Sequence, residues 1–134
     1  DVDQAAVIAN YAAGEGADAA TVEGYKALTV TSAMKGLYPA TFDTLTDVIV
    51  NGNWEKYSGK IDTLGLVSAD DPAANYVQIP MESTQWADGK FTQDDYKTLV
   101  KAMFDGTLTV SNDITKAAKD FATVITVDDQ GNIK

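Results

Sequence analysis

Thr29-Val30-Thr31-Ser32-Ala33-Met34-Lys35-Gly36-Leu37-Tyr38-Pro39-Ala40-Thr41-Phe42-Asp43-Thr44-Leu45-Thr46-Asp47-Val48-Ile49-Val50-Asn51-Gly52 is the stretch from which the fold is read. A short β-branched run leads to a lone lysine, Lys35. The residues that follow place Tyr38, Phe42, Leu45 and Ile49 at spacings of four, three and four, one face of a helix of 3.6-residue period. A strand therefore hands directly to a helix. In open α/β sheets ligands sit in the crevice beyond the carboxyl ends of the strands, so a cation at this junction is placed to reach one.

Upstream of this stretch, Ala6, Val7 and Tyr11 recur at helical spacing between residues 3 and 13, with Asp3 as the cap and Gly14 and Gly16 ending the run. Residues 14–26 hold three glycines and little periodicity, which predicts an exposed, mobile loop. Residues 28–32 read as a buried strand. Downstream, Asn51-Gly52-Asn53 is a turn signal, and Trp54 and Tyr57 lie in a polar connection with no assigned task. Residues 61–67 and 75–79 are strand-like runs around the turn-rich linker Ser68-Ala69-Asp70-Asp71-Pro72-Ala73-Ala74, which predicts a hairpin or neighbouring strands.

The clearest helix follows. Thr92-Gln93-Asp94-Asp95 reads as an N-cap with acidic residues in the first turn, and Tyr96, Leu99, Val100, Met103 and Phe104 trace its apolar face before Gly106. Residues 107–110 read as a short strand. Beyond it, Ile114, Ala117, Ala118 and Phe121 predict a short helix behind Asp113, residues 123–127 a strand, and residues 128–132 a turn. Strands interleaved with helices make α/β the expected class.

The bulk composition narrows the function. With 134 residues, 45% hydrophobic and 22% charged, the chain suits one folded domain. Ten basic against twenty acidic residues give a net charge of −10, which repels phosphate backbones and anionic lipids, so nucleic acid is an unsuitable partner. No run of 18 apolar residues spans a membrane. There is no Cys and no His, which excludes thiolate chemistry and the commonest general base and metal ligand.

Thr31-Ser32-Ala33-Met34-Lys35 before an aromatic-bearing helix, with Asp1-Val2-Asp3-Gln4 upstream and Gly65-Leu66 downstream, resembles the C-terminal part of the basic membrane protein family. Members are substrate-binding lipoproteins of ABC importers, and several bind purine nucleosides in a two-lobed type I periplasmic-binding fold. The resemblance runs from Asp1 to about Val110. It implies a single α/β fragment over residues 1–134, part of that fold, with a parallel or mixed sheet flanked by helices. Residues 111–134 would add a further helix and strand. It also implies two ligand-binding residues. Lys35 would donate from its ammonium to ribose hydroxyls, and the Asp1 carboxylate would accept from two neighbouring hydroxyls of a sugar. The ligand would be nucleoside-like and held noncovalently, the partner an ABC permease, and the location extracytoplasmic through an upstream lipid anchor. No cofactor, metal or reaction is implied.

Plainer readings stand beside these. Lys35 at a helix start is elsewhere a solvated lysine, although a cation there opposes the helix macrodipole. Asp1 is also a chain terminus that frays. The pairs Asp70-Asp71, Asp94-Asp95 and Asp128-Asp129 suit turns and helix starts better than catalysis, because adjacent carboxyls do not straddle a scissile bond. Asp128 to Asn132 matches half of a calcium loop without its trailing glutamate. Trp54, Tyr57, Trp86 and Phe91 are of the type that stacks on a base, and more commonly of the type that fills cores. A structural or adhesive cell-surface module is the alternative to a binding protein, and a small α/β enzyme is a third. In the family the residues matching Asp1-Val2-Asp3-Gln4 follow an apolar strand that is missing here, so the chain is expected to be a piece of a longer protein; the sheet edges and the apolar Leu28, Val30, Leu64 and Leu66 left uncovered lead to the expectation that it self-associates.

Overall fold

The computed structural model describes residues 2–122 and 124–131. Helix α1, Gln4–Gly14, begins where Asp3 Oδ1 accepts from the Ala6 amide at 3.2 Å, as the sequence predicts. It ends in a Schellman motif, with the Gly16 amide bonded to Ala13 O, the Ala17 amide to Ala12 O, and Gly16 at φ 83°. Helix α2, Ala19–Lys26, then packs back against α1. The buried Ala5, Ala9 and Ala12 present little bulk on α1.

Helix α2 corrects the expectation of a mobile loop. Asp18 Oδ1 takes the Thr21 amide at 2.8 Å and supplies the cap, while Lys26 in the last turn pairs with Glu23 at 3.1 Å. Gly24 costs this helix about 1 kcal/mol relative to alanine, and packing on α1 offsets it.

The strand expected at residues 28–32 is not formed. Strand β1 is Met34–Lys35, paired antiparallel with β2, Val77–Gln78, in the register Met34↔Gln78 and Lys35↔Val77. Residues 27–31 are instead held by one side chain and its neighbour. The Gln85 amide donates to Val30 O at 2.8 Å, its Nε2 donates to Ala27 O and Thr29 O at 2.9 Å each, and the Thr31 and Thr84 hydroxyls meet at 2.9 Å. Without a strand alongside, a β-branched run has no ladder to join. The chain is thus mixed helix with a small antiparallel sheet, in place of the expected parallel or mixed sheet. Residues 61–67 and 107–110 form no strand, and only Val77–Gln78 of the run 75–79 does.

Helix α3, Leu37–Leu45, starts immediately after β1 and continues as a π turn, Thr46–Val50. The handover from strand to helix occurs at Lys35 as predicted, with Met34–Lys35 as the strand in place of the run at 28–32. Its stripe is not a core face, and Phe42, expected in a core, is more exposed than buried. A short helix α4, Trp54–Tyr57, and a 3-10 turn, Pro72–Ala74, follow.

Helix α5, Gln93–Phe104, has the predicted cap as a full capping box. The Asp95 amide donates to Thr92 Oγ1 at 3.3 Å and the Thr92 amide to Asp95 Oδ2 at 2.8 Å. Gly106 ends it in a second Schellman motif. Its Tyr96 and Val100 are buried, Leu99 is half-buried, and Trp86 lies against Tyr96 and Phe91 with centroids 5.9 and 6.4 Å apart. Residues 111–122 hold a 3-10 turn, Ala118–Asp120, in place of the expected helix, and Ile114 is exposed. An amphipathic segment this short needs tertiary cover to stay helical, and none reaches it. Residues 124–127 form no strand; Thr123 and Asn132, the expected strand start and turn end, lie outside the described residues, as do 133 and 134.

Candidate functional site

The junction at Lys35 is built by three ties from distant segments. Ser32, buried just before β1, accepts the Gln4 amide on its Oγ at 3.0 Å, which brings the start of α1 alongside the junction. Ser83 Oγ donates to Asp3 Oδ2 at 2.7 Å, so the carboxylate that caps α1 also anchors the segment after β2. The Gly36 amide donates to Tyr76 O at 2.8 Å, and the Tyr76 amide to Gly65 O at 3.1 Å. The outcome is a depression of about 460 Å³ lined by Val2, Asp3, Met34, Lys35, Tyr38 and Gln78, among others.

Two residues set the floor of this junction. A Cβ on Gly36 would stand 2.6 Å from Asn75 O and 2.9 Å from Tyr76 Cα, so only glycine lets the backbones come this close. The Asn75 side chain is fully buried, and its oxygen and nitrogen are both bonded. Its Oδ1 accepts from the amides of Val67 and Ser68 at 2.6 and 2.8 Å, and its Nδ2 donates to Ser68 O at 3.1 Å. Gln78 Nε2 completes the corner by donating to Asn75 O at 2.7 Å and Ala73 O at 3.1 Å.

Chemically, the depression combines a lysine ammonium with the half-buried carboxylate of Asp3, whose remaining lone pairs can accept further donors. The start of α3 has no side-chain cap, and Pro39 at its third position brings no N–H that would need one. Asp1, the other expected ligand residue, lies outside the described residues. Asp3, Gly36, Asn75 and Gln78 are the contributors that the sequence reading assigned no part in the site. Only Gly36, a glycine wedged between a lysine and a helix start, carries a local signal.

The remaining candidates have structural work. Asp95 closes the capping box, Asp71 caps the 3-10 turn through the Ala73 amide at 3.0 Å, Asp94 faces Lys97 at 3.7 Å, and Asp129 accepts the Gly131 amide at 2.8 Å. Trp86 Nε1 donates to Met81 O at 3.1 Å, which with its ring contacts places it in the packing around α5.

Tyr57 gains its explanation at Asp47. That carboxylate accepts from Lys56 Nζ, Asn53 Nδ2 and Tyr57 Oη at 2.7 Å each and from Asn51 Nδ2 at 3.2 Å, knotting the turn after α3. Lys56 above all, then Asn53, Tyr57 and Asn51, hold the Asp47 carboxyl well below its ordinary 3.8. Asp47 in turn raises the Lys56 ammonium above its ordinary 10.5. A depressed carboxyl contributes stability that is present above the unfolded value and lost as pH falls toward the folded one. The Lys56 contribution is present below its unfolded value and lost as pH rises past it. Both groups meet solvent, which screens the effect. Asp47→Asn is therefore expected to flatten the acid limb of the unfolding midpoint below about pH 4, and an acid limb identical to that of the parent in thermal melts would refute it.

Compared with protein-family models, curated proteins and solved structures, the chain matches none of them.

Proposed function

We propose that this chain is the C-terminal portion of a solute-binding protein of the basic membrane protein type, part of a type I periplasmic-binding fold that serves an ABC importer. It holds a nucleoside-like ligand noncovalently at the Lys35 junction and performs no reaction. Delivery is to an ABC permease, from an extracytoplasmic position set by a lipid anchor upstream. The observation that carries this proposal is the convergence of Val2 and Asp3 with Lys35 on one depression of about 460 Å³. Two pieces of the chain that resemble the family's ligand-contacting words thereby line the same space. That volume falls within the range of about 300–1,000 Å³ common to small-molecule pockets.

In this proposal Lys35 supplies a charge-assisted hydrogen bond to a ribose hydroxyl, and the carboxylates of Asp1 and Asp3 accept from sugar hydroxyls. A hydrogen bond from a charged group is worth about 1.5–3 kcal/mol, or roughly ten- to hundredfold in affinity. Lys35→Ala, introduced into the full-length polypeptide, is expected to weaken nucleoside binding by that factor while leaving the far-ultraviolet circular dichroism unchanged. Titration calorimetry returning the parent dissociation constant would overturn the assignment.

A further inference from the structure

The turn after α3 places a self-reacting pair of residues inside the Asp47 knot. Of the asparagines in the chain, Asn51 is the one followed by glycine, and both residues are exposed. Glycine leaves the peptide nitrogen of residue 52 unshielded. A Cβ on Gly52 would meet no atom within 4 Å, and among the described residues no group accepts from the Gly52 amide. Solvent base can therefore take its proton. The nitrogen then attacks Asn51 Cγ, the new N–Cγ bond closes a five-membered imide, and the Cγ–Nδ2 bond breaks as ammonia leaves with a proton from water. Water opens the imide in turn. Breaking the N–Cγ bond yields aspartate, and breaking the bond from that nitrogen to the Asn51 backbone carbonyl carbon yields isoaspartate. Nothing is oxidised or reduced, and water is the co-reactant.

The fold decides how readily the ring closes. A near-planar imide needs the Gly52 nitrogen eclipsed with Asn51 Cβ about the Cα–C bond, whereas at ψ −10° it is nearly eclipsed with the nitrogen of Asn51 itself. Bringing it round turns the backbone between the two residues, and the knot holds both sides of that bond. Asp47 Oδ1 accepts from Asn51 Nδ2 at 3.2 Å and from Asn53 Nδ2 at 2.7 Å. The Asp47 carbonyl oxygen accepts the Asn53 amide at 3.1 Å, and Thr46 O accepts the Asn51 amide at 3.2 Å. We propose that Asn51 is a site of spontaneous conversion to aspartate and isoaspartate, and that the Asp47 knot sets its rate by keeping the turn out of the ring-closing geometry. Conversion is one-way and loosens the knot that restrained it. A donor to Asp47 becomes a second carboxylate, which takes the chain one unit below its charge of −10, and isoaspartate adds a backbone carbon to the loop that Asp47 closes. The site is independent of the ligand proposed above.

The test follows the tryptic peptide of residues 36–56 while the 134-residue chain is held at neutral pH. Mass spectrometry with fragment ions should place an amide-to-acid exchange at residue 51, and the parent should convert faster in guanidinium chloride than in buffer. Asp47→Ala, folded by circular dichroism, should convert about tenfold or more faster than the parent in buffer, the worth of a hydrogen bond to a charged group. In guanidinium chloride the two should convert alike. Asn53→Ala, an exposed change that opens the loop from its other end, should also accelerate conversion and decides the matter if Asp47→Ala does not fold. Asn51→Asp, which installs the product, should melt below the parent. An Asn51 that persists in guanidinium chloride would overturn the chemistry. Native rates in both variants equal to that of the parent would overturn the restraint, and a slower rate in Asp47→Ala would mark that carboxylate as the base and overturn it equally.

Discussion

Asn75→Ala is expected to lower the unfolding free energy by about 3–4 kcal/mol, the largest single loss in the chain. The truncation leaves the amides of Val67 and Ser68 and the Ser68 carbonyl without the fully buried side chain that now satisfies them. Each buried group orphaned in this way costs about 1–3 kcal/mol. The core has little to offset it, since the buried apolar residues among those described are Ala5, Ala9, Ala12, Tyr96 and Val100. Urea unfolding followed by circular dichroism would measure the loss, and a midpoint equal to that of the parent would show that other groups take over the three bonds.

Gly36→Ala comes next, with an expected cost of about 3 kcal/mol, at the upper end for an overpacked site. The atoms that a new Cβ would strike are the Asn75 carbonyl oxygen and the Tyr76 Cα, which belong to backbone and cannot rotate aside. Relief requires β1 and β2 to part, which breaks the 2.8 Å bond from the Gly36 amide to Tyr76 O. The damage would reach the depression as well, because Lys35 and Gln78 line it from the two strands. Native-state hydrogen exchange at the Gly36 amide should accelerate alongside the fall in stability. An alanine variant with unchanged exchange and unchanged urea midpoint would mean that the strands already breathe enough to admit a methyl group.

The sequence is most legible where a feature is local. Asp3 and Thr92 act as caps, Gly16 and Gly106 stop their helices, and Asn51-Gly52 turns the chain, because each of these needs only its near neighbours. Helix α2 was hidden by Gly24 within it and by Gly14 and Gly16 ahead of it, although Asp18 three residues before Thr21 carried the capping signal. The β-branched run at residues 28–32 misled because strand propensity is realised only beside a partner, and here Gln85 takes the partner's place. Periodicity found the stripe of Tyr38, Phe42, Leu45 and Ile49, yet a period reports that a helix has two faces and is silent on what covers either. At the candidate site, Lys35 was visible from its place between strand and helix. Asn75 and Gln78 were not, because a side chain that folds back on backbone three to eight residues before it follows neither a capping nor a periodic pattern.

The ties around Lys35 also set an order of assembly in time. Helices α1 and α2 can close on each other once the chain up to Lys26 is clear of the ribosome, since their contacts span a few turns of chain. The junction must wait, because Thr31 meets Thr84 across 53 residues, Ala27 meets Gln85 across 58 and Asp3 meets Ser83 across 80. At a synthesis rate of about 5–20 residues per second, those intervals correspond to roughly 3–16 s on the ribosome. Throughout that delay the Lys35 junction is displayed by a nascent chain that has not yet made the residues that clamp it.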